Sequence, residues 1–359
     1  MLGHLEAATL YNRLGSHFLF SFWLNRPDSI LRTVPVSGFC EVMLLYLAAL
    51  VGLYYLVRWY RERQVVSHLH DKYVFITGCD SGFGNLLARQ LDMRGLRVLA
   101  ACLTEEGAEQ LRKRTSERLE TVILDVTRTE SIAAAAEWVK ERVGDRGLWG
   151  LVNNAGISFP SAPSEWLSKQ DFMNILNVNL VGVIEVTLSL MPLVRKAQGR
   201  VVNVSSVMGR LSPFGGGYCI SKYGVESFSD SLRRELSYFG VKVAIIEPGF
   251  FKTNVTSSER FILDLQKLWN QLSSEVKEIY GEKFLETYQK SSKLVEQRSK
   301  PDLSLVTDCM EHALTACHPR TRYSAGWDAK LFYLPLSYMP SFLVDALMYW
   351  GSPKPAKAL

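Results

Sequence analysis

The sequence predicts a doubly wound α/β domain on a parallel sheet, with a membrane anchor ahead of it, and two observations carry that prediction. Between residues 72 and 250 six short apolar runs alternate with stretches of helical periodicity, a pattern suited to a parallel sheet covered on both faces. Before them, from Met43, runs "MLLYLAALVGLYYLV", which holds no charge.

Composition bounds the rest. The 359 residues are 47% hydrophobic, enough for a large core. Lys and Arg number 41 against 36 Asp and Glu, a net +5 without a long basic run, so no nucleic-acid partner is expected. Six cysteines at 40, 79, 102, 219, 309 and 317 form no Cys-x-x-Cys pair and no spacing that suits zinc. They read as reduced thiols, and no metal is expected.

Taken in order, residues 1–42 show no clear period or motif and are an extension of uncertain structure, with "FLFSFWL" a second interfacial segment. Residues 43–60 are the anchor, apolar on every helical face, with Trp59 and Tyr60 suited to the interface. Arg58, Arg61 and Arg63 then place the following domain on the cytoplasmic side by the positive-inside rule. The catalytic domain is expected over 72–330.

Its strand-like runs are "YVFITG", "RVLAAC", "ETVILDV", "LWGLVNNAG", "GRVVNVSS" and "VKVAIIEPG". Ligands of such sheets bind beyond the carboxyl ends of the strands. The first run ends in Thr77-Gly78-Cys79-Asp80-Ser81-Gly82-Phe83-Gly84 and passes straight into a helical stretch. Strand, glycine turn and helix start together make a pyrophosphate site. At the end of the second strand, where an acid normally takes the adenine ribose, stands Ala101, with no arginine after it for a 2′-phosphate. Glu105 and Glu106 nearby disfavour an added phosphate, so NAD is the expected cofactor and NADP the alternative. After "FGGG", Tyr218 and Lys222 lie one helical turn apart and share a face. Residues 250–300 break the alternation with a charged, aromatic-spotted helical region, read as a substrate lid. Residues 331–359 are apolar but broken by prolines and Asp345, suited to closing the pocket or docking on a membrane. Asn-x-Ser/Thr triplets at Asn203 and Asn254 fall in a core strand and at the site rim and are read as chance.

From Lys72 to Thr253, "TGCDSGFG", "NNAG" (Asn153 to Gly156), "NVNL" with Asn179, "VSS" with Ser206, "YCISK" and "EPGFFKT" follow in the order and spacing of the short-chain dehydrogenase/reductase family, which the sequence resembles. With its apolar leader and the late "HPRTRYSAGWDAK", it closely resembles the microsomal retinol and hydroxysteroid dehydrogenases of that family. The resemblance implies a Rossmann-like fold and hydride transfer between an apolar alcohol and NAD. An alcohol gives up a hydride only as its hydroxyl proton leaves, so a general base is needed. Tyrosine, with a pKa of about 10, is a poor one at neutral pH unless a neighbouring cation favours the phenolate. Tyr218 is then the base, Lys222 its activator and a ribose ligand, Ser206 the partner of the substrate oxygen, and Asn179 the holder of a proton-carrying water. Cofactor contacts are implied at Thr77, Gly78, Ser81, Gly82, Phe83, Gly84, Asp125 (adenine), Asn153, Ala155, Gly156, Tyr218, Lys222, Pro248, Gly249 and Thr253 (nicotinamide carboxamide). A retinoid or 3α-hydroxysteroid substrate and the endoplasmic reticulum membrane follow from the same resemblance; homo-oligomerisation stays open. The alternatives are an NADP-dependent reductase of lipid carbonyls and a membrane-tethered nucleotide binder without catalysis.

Overall fold

The computed structural model describes residues 36 to 358 and divides into two units, one ending at Arg63 and one beginning at Gln64. The described part of the first unit is a single helix, α1 (Val36–Glu62). Its stretch Glu41–Glu62 has 22 residues, a mean hydropathy of 1.7 and no part buried in the protein. At 1.5 Å per residue it is about 33 Å long, enough to cross a bilayer core. The expected anchor began at Met43; the helix starts seven residues earlier, just after Pro35, where a proline suits a helix start. Near its end Arg58 pairs with Glu62 at 2.8 Å, and Arg63 lies over the Trp59 ring at 4.0 Å. The expected interfacial segment "FLFSFWL" lies outside the described residues.

The second unit holds strands β1 (Tyr73–Thr77), β2 (Arg97–Cys102), β3 (Leu119–Ile123), β4 (Gly150–Asn153), β5 (Arg200–Val204), β6 (Lys242–Pro248) and β7 (Arg322–Ala325). They form one sheet in the order β3-β2-β1-β4-β5-β6-β7, parallel throughout. Six strands coincide with the six apolar runs. The seventh was not expected: "RYSA" is four residues long and half polar, and it becomes a strand only because β6 offers it an edge, from Ile245 against Arg322 to Pro248 against Ala325.

Helices α2 (Gly82–Met93), α3 (Glu105–Arg112), α4 (Thr129–Val143), α5 (Lys169–Leu176), α6 (Gly182–Lys196), α7 (Gly217–Leu236) and α11 (Ser304–Thr315) cover the sheet, while α8 (Ser258–Gln271), α9 (Ser274–Tyr280) and α10 (Glu282–Arg298) fill the region read as a lid, and α12 (Ser341–Trp350) lies near the C-terminus. Strand side chains alternate between faces. Val74, Ile76, Val98 and Ala100 pack with Leu87 and Leu91 of α2 and Met310 of α11; Phe75, Leu99, Val201 and Val243 pack with Val139 of α4, Leu190 of α6 and Leu232 of α7. Each aliphatic side chain so buried contributes about 1.5–3 kcal/mol.

A third, smaller core lies under the lid region. Trp166, from the segment after β4, has Trp269, Tyr280 and Phe284 around it at 5.2, 5.1 and 5.8 Å between ring centres. Helices α8, α9 and α10 are therefore packed down over that segment. The tail is tied to them: Ala356 N donates to Tyr280 O and Lys357 N to Ile279 O, at 2.9 and 3.0 Å. Asn203 is wholly buried in β5 and donates to Ser229 Oγ at 2.8 Å, which rules out its glycosylation in the folded chain.

Strand order reverses between β1 and β4, so the carboxyl ends of these two adjacent strands open on the crevice where such sheets bind ligands.

Candidate active site

The glycine loop leaves β1 at Thr77 and enters α2 at Gly82. Gly78 and Gly82 have φ of +70° and +63°, a region that favours glycine. A Cβ on Gly78 would lie 2.8 Å from Ala155 Cα, and one on Gly84 2.4 Å from Gly78 O. The loop thus folds tightly on itself and on the turn after β4. Ser81 caps α2 by position but its side chain makes no capping bond, which leaves the first-turn N–H groups free for an anion. The cradle fits a dinucleotide pyrophosphate. Phe83 packs edge-on against Phe251, 5.7 Å between centroids.

Two asparagines behind the loop divide their tasks unexpectedly. Asn153, expected among the cofactor contacts, turns inward: its Nδ2 donates to Thr187 Oγ1 and Asn203 Oδ1, both at 2.8 Å. Its neighbour Asn154, which sequence reasoning passed over, donates to Thr77 O and Gly78 O at 2.9 and 3.0 Å. Thr77 Oγ1 in turn accepts from the Asn154 and Ala155 N–H groups, each at 3.0 Å. Adjacent strand residues point to opposite faces, and that alternation sends one asparagine to the core and the other to the loop. Asp125 lies just past β3, where its carboxylate accepts from Thr127 Oγ1 and N at 2.7 and 2.9 Å; these bonds hold it below the usual carboxylate range.

The residues expected to react gather around α7. Ser206 follows β5, is buried, and accepts from Met208 N at 3.1 Å. Lys222 is buried at 5% exposure and donates to Val204 O at 2.8 Å, its Nζ 5.7 Å from the centre of the Tyr218 ring. One helical turn puts phenol and ammonium side by side, but burial dominates both. It pushes Tyr218 up to about 12, opposed by the nearby Ser206 hydroxyl. It pushes Lys222 down to about 8, opposed by the carboxylate of Glu226 one turn on.

Asn179 sits in a π-helical turn, Asn177–Val181, between α5 and α6, with no exposed surface. Its amide is used locally: Oδ1 accepts from Ile157 N at 2.8 Å, and Nδ2 donates to Ile157 O and Ser221 Oγ at 2.7 and 3.1 Å. The side chain therefore fixes the Gly156–Ile157 turn. A π turn disturbs the regular carbonyl ladder and is common at functional sites. A Cβ on Gly156 would lie 3.3 Å from Asn179 Oδ1 and 3.8 Å from Lys222 Nζ.

Beyond β6, Pro248 ends the strand and Gly249 N donates to Ala325 O at 2.9 Å. Thr253 N donates to Thr256 Oγ1 at 3.1 Å. Thr253 faces the glycine loop, its Cγ2 standing 3.7 Å from where a Gly82 Cβ would be. Asn254 Nδ2 donates to Ser81 Oγ at 3.2 Å, a second link between the two loops. Next to Tyr218, an apolar wall of Val207, Met208, Cys219 and Ala329 is completed by Phe214, Phe250 and Tyr333.

A profile of the short chain dehydrogenase family matches residues 72–261. The chain is 77% identical to human retinol dehydrogenase 16 over 317 residues, 88% of this chain and all of that one. To human 17-beta-hydroxysteroid dehydrogenase type 6 it is 64% identical over the same shares. Among solved structures, a short-chain dehydrogenase from Streptomyces avermitilis is 26% identical and superposes with a TM-score of 0.60, covering 78% of this chain and 95% of that one. Its fold, its glycine cradle and these matches agree that the chain belongs to the short-chain dehydrogenase family.

Proposed function

We propose that the protein is a membrane-bound oxidoreductase of the endoplasmic reticulum that oxidises apolar alcohols, all-trans-retinol to retinal and 3α-hydroxysteroids to ketosteroids, with NAD as hydride acceptor. The observation that carries the reading is the convergence of Ser206, Tyr218 and Lys222 beside an apolar wall, at the crevice end of the sheet. The names of the relatives, retinol and hydroxysteroid dehydrogenases, support the substrate class.

The oxidised nicotinamide supplies the hydride acceptor and a positive charge that favours the phenolate. Tyr218 Oη takes the proton of the substrate hydroxyl. Ser206, whose hydroxyl lies near Tyr218, holds the substrate oxygen beside it, so that the alcohol reacts from one orientation. Lys222 adds a nearby ammonium and binds ribose hydroxyls. Thr253 holds the carboxamide on the glycine-loop side. The wall of Val207, Met208, Phe214 and Phe250 excludes water and receives the hydrocarbon body of the substrate.

Membranes carrying the expressed protein, supplied with retinol or a 3α-hydroxysteroid, should form NADH. Tyr218→Phe should lower that rate by about 1,000-fold or more while still binding NADH, since it removes the base and leaves the cradle intact. Equal activity in the variant would sink the assignment of the base.

A further inference from the structure

The acid that a dinucleotide fold places at the end of its second strand is replaced here by Ala101, only 1% exposed. A carboxylate reaches that place from elsewhere. Asp80, in the middle of the glycine loop, accepts from Leu103 N through Oδ2 at 2.8 Å. Its Oδ1 accepts from Thr104 N at 3.0 Å and from Thr104 Oγ1 at 2.8 Å. Leu103 and Thr104 are the two residues that link β2 to α3. The group lies flat against the first turn of α3: a Cβ on Gly107 would come within 2.5 Å of Oδ1. Two backbone donors at the β2 exit, which would otherwise be open to an incoming phosphate, are already satisfied by a resident anion. Glu105 and Glu106 add negative charge to the same turn, but both are exposed and screened by solvent.

We infer that Asp80 is the cofactor-specificity residue of this enzyme. Anchored by three hydrogen bonds at the β2 exit, it keeps Oδ2 lone-pair capacity for an adenine-ribose hydroxyl and excludes a 2′-phosphate by charge and by occupying its donors. This rests on the NAD-dependent reading above and supplies its structural cause. A glycine-loop side chain that reaches the turn after β2 thus does the work normally given to an acid at the end of that strand.

The test is equilibrium binding of NADH and NADPH to the full-length, detergent-solubilised protein, followed by quenching of its tryptophan emission and by thermal shift. The unaltered protein should bind NADH at least about tenfold more tightly than NADPH, and Asp80→Asn should lower that ratio about tenfold, as removal of a like-charge clash predicts. A protein that prefers NADPH, or neither, overturns the NAD reading and the inference with it. An NADH preference that survives intact in a folded Asp80→Asn overturns the inference alone. The double variant Glu105→Gln/Glu106→Gln, confined to exposed side chains, decides the matter even where Asp80→Asn fails to fold. It should keep most of the preference; losing it would move the determinant to those two residues.

Discussion

Burying an ammonium lowers stability, and Lys222 is buried with Val204 O as its hydrogen-bond acceptor. Its pKa falls to about 8 from the ordinary lysine value of 10.5. Between those two values the unfolded chain binds more protons than the folded one, so the Lys222 contribution to stability rises with pH across that window. Below about pH 8 the penalty is present in full. Tyr218, pushed up to about 12 from 10, acts with the opposite sign above pH 10, and so do the buried thiols of Cys79, Cys102 and Cys219 above pH 9, from which burial raises them, leaving pH 8 to 9 as the window that reports on the lysine. Lys222→Met should therefore stabilise the protein at pH 7 by on the order of 1–3 kcal/mol and flatten the dependence between pH 8 and 9. Oxidation should be lost at the same time. Melting temperatures of both proteins across that range check this, and a wild-type curve without slope would contradict it. That Tyr218, Lys222 and Ser206 come together was legible in the sequence because their spacing is local to one helix and one strand end. Asp80 could not: its partners are 23 and 24 residues away, and only the β1–β2 pairing brings them together.

At the scale of elements, the loop from Gly249 to Thr253 is held from two directions. Lys300, just after α10, forms backbone bonds on both sides of Phe251: Lys300 N donates to Phe250 O and Lys252 N to Lys300 O, at 3.0 and 2.8 Å. Its ammonium pairs with Asp328, whose Oδ2 also accepts from Phe250 N at 2.8 Å. Both side chains are largely buried, 15% and 13% exposed. Gly249 and Gly326 leave room for that carboxylate, since a Cβ on either would come within 2.5 Å of it. Removing one partner of a buried pair strands the other charge and costs about 3–5 kcal/mol. Asp328→Asn should lower the melting temperature and weaken NADH binding, and Lys300→Met/Asp328→Asn should recover much of the loss. A double variant as unstable as the sum of the two singles would show that the pair is not coupled. The sequence marked "EPGFFKT" and "GWDAK" as notable but gave no sign that they meet, because the chain between them is the whole lid region.

At the scale of the molecule, pattern and context contributed unequally. Periodicity identified the first six strands and the two-sided cover, since a buried parallel sheet must be apolar on both faces. It missed β7, whose "RYSA" becomes a strand through its neighbour, and the packing of the lid around Trp166, which joins residues more than a hundred positions apart. Two apolar surfaces, one toward each end of the chain, are suited to a membrane. Helix α1 exposes its residues from Val42 to Tyr60, and α12 exposes Phe342, Tyr349 and Trp350 at 69%, 71% and 89%. Only the first is long enough to span; α12, at ten residues, is about 15 Å long. Spanning through α1 predicts that the protein stays with membranes after alkaline extraction. Replacing Leu47, Leu50 and Tyr54 by arginine, at about 2.5–3.5 kcal/mol each in the centre of a span, should release it. If the triple variant stays bound, the C-terminal segment is a sufficient anchor, and Phe342→Ser with Trp350→Ser in that background should then release the protein.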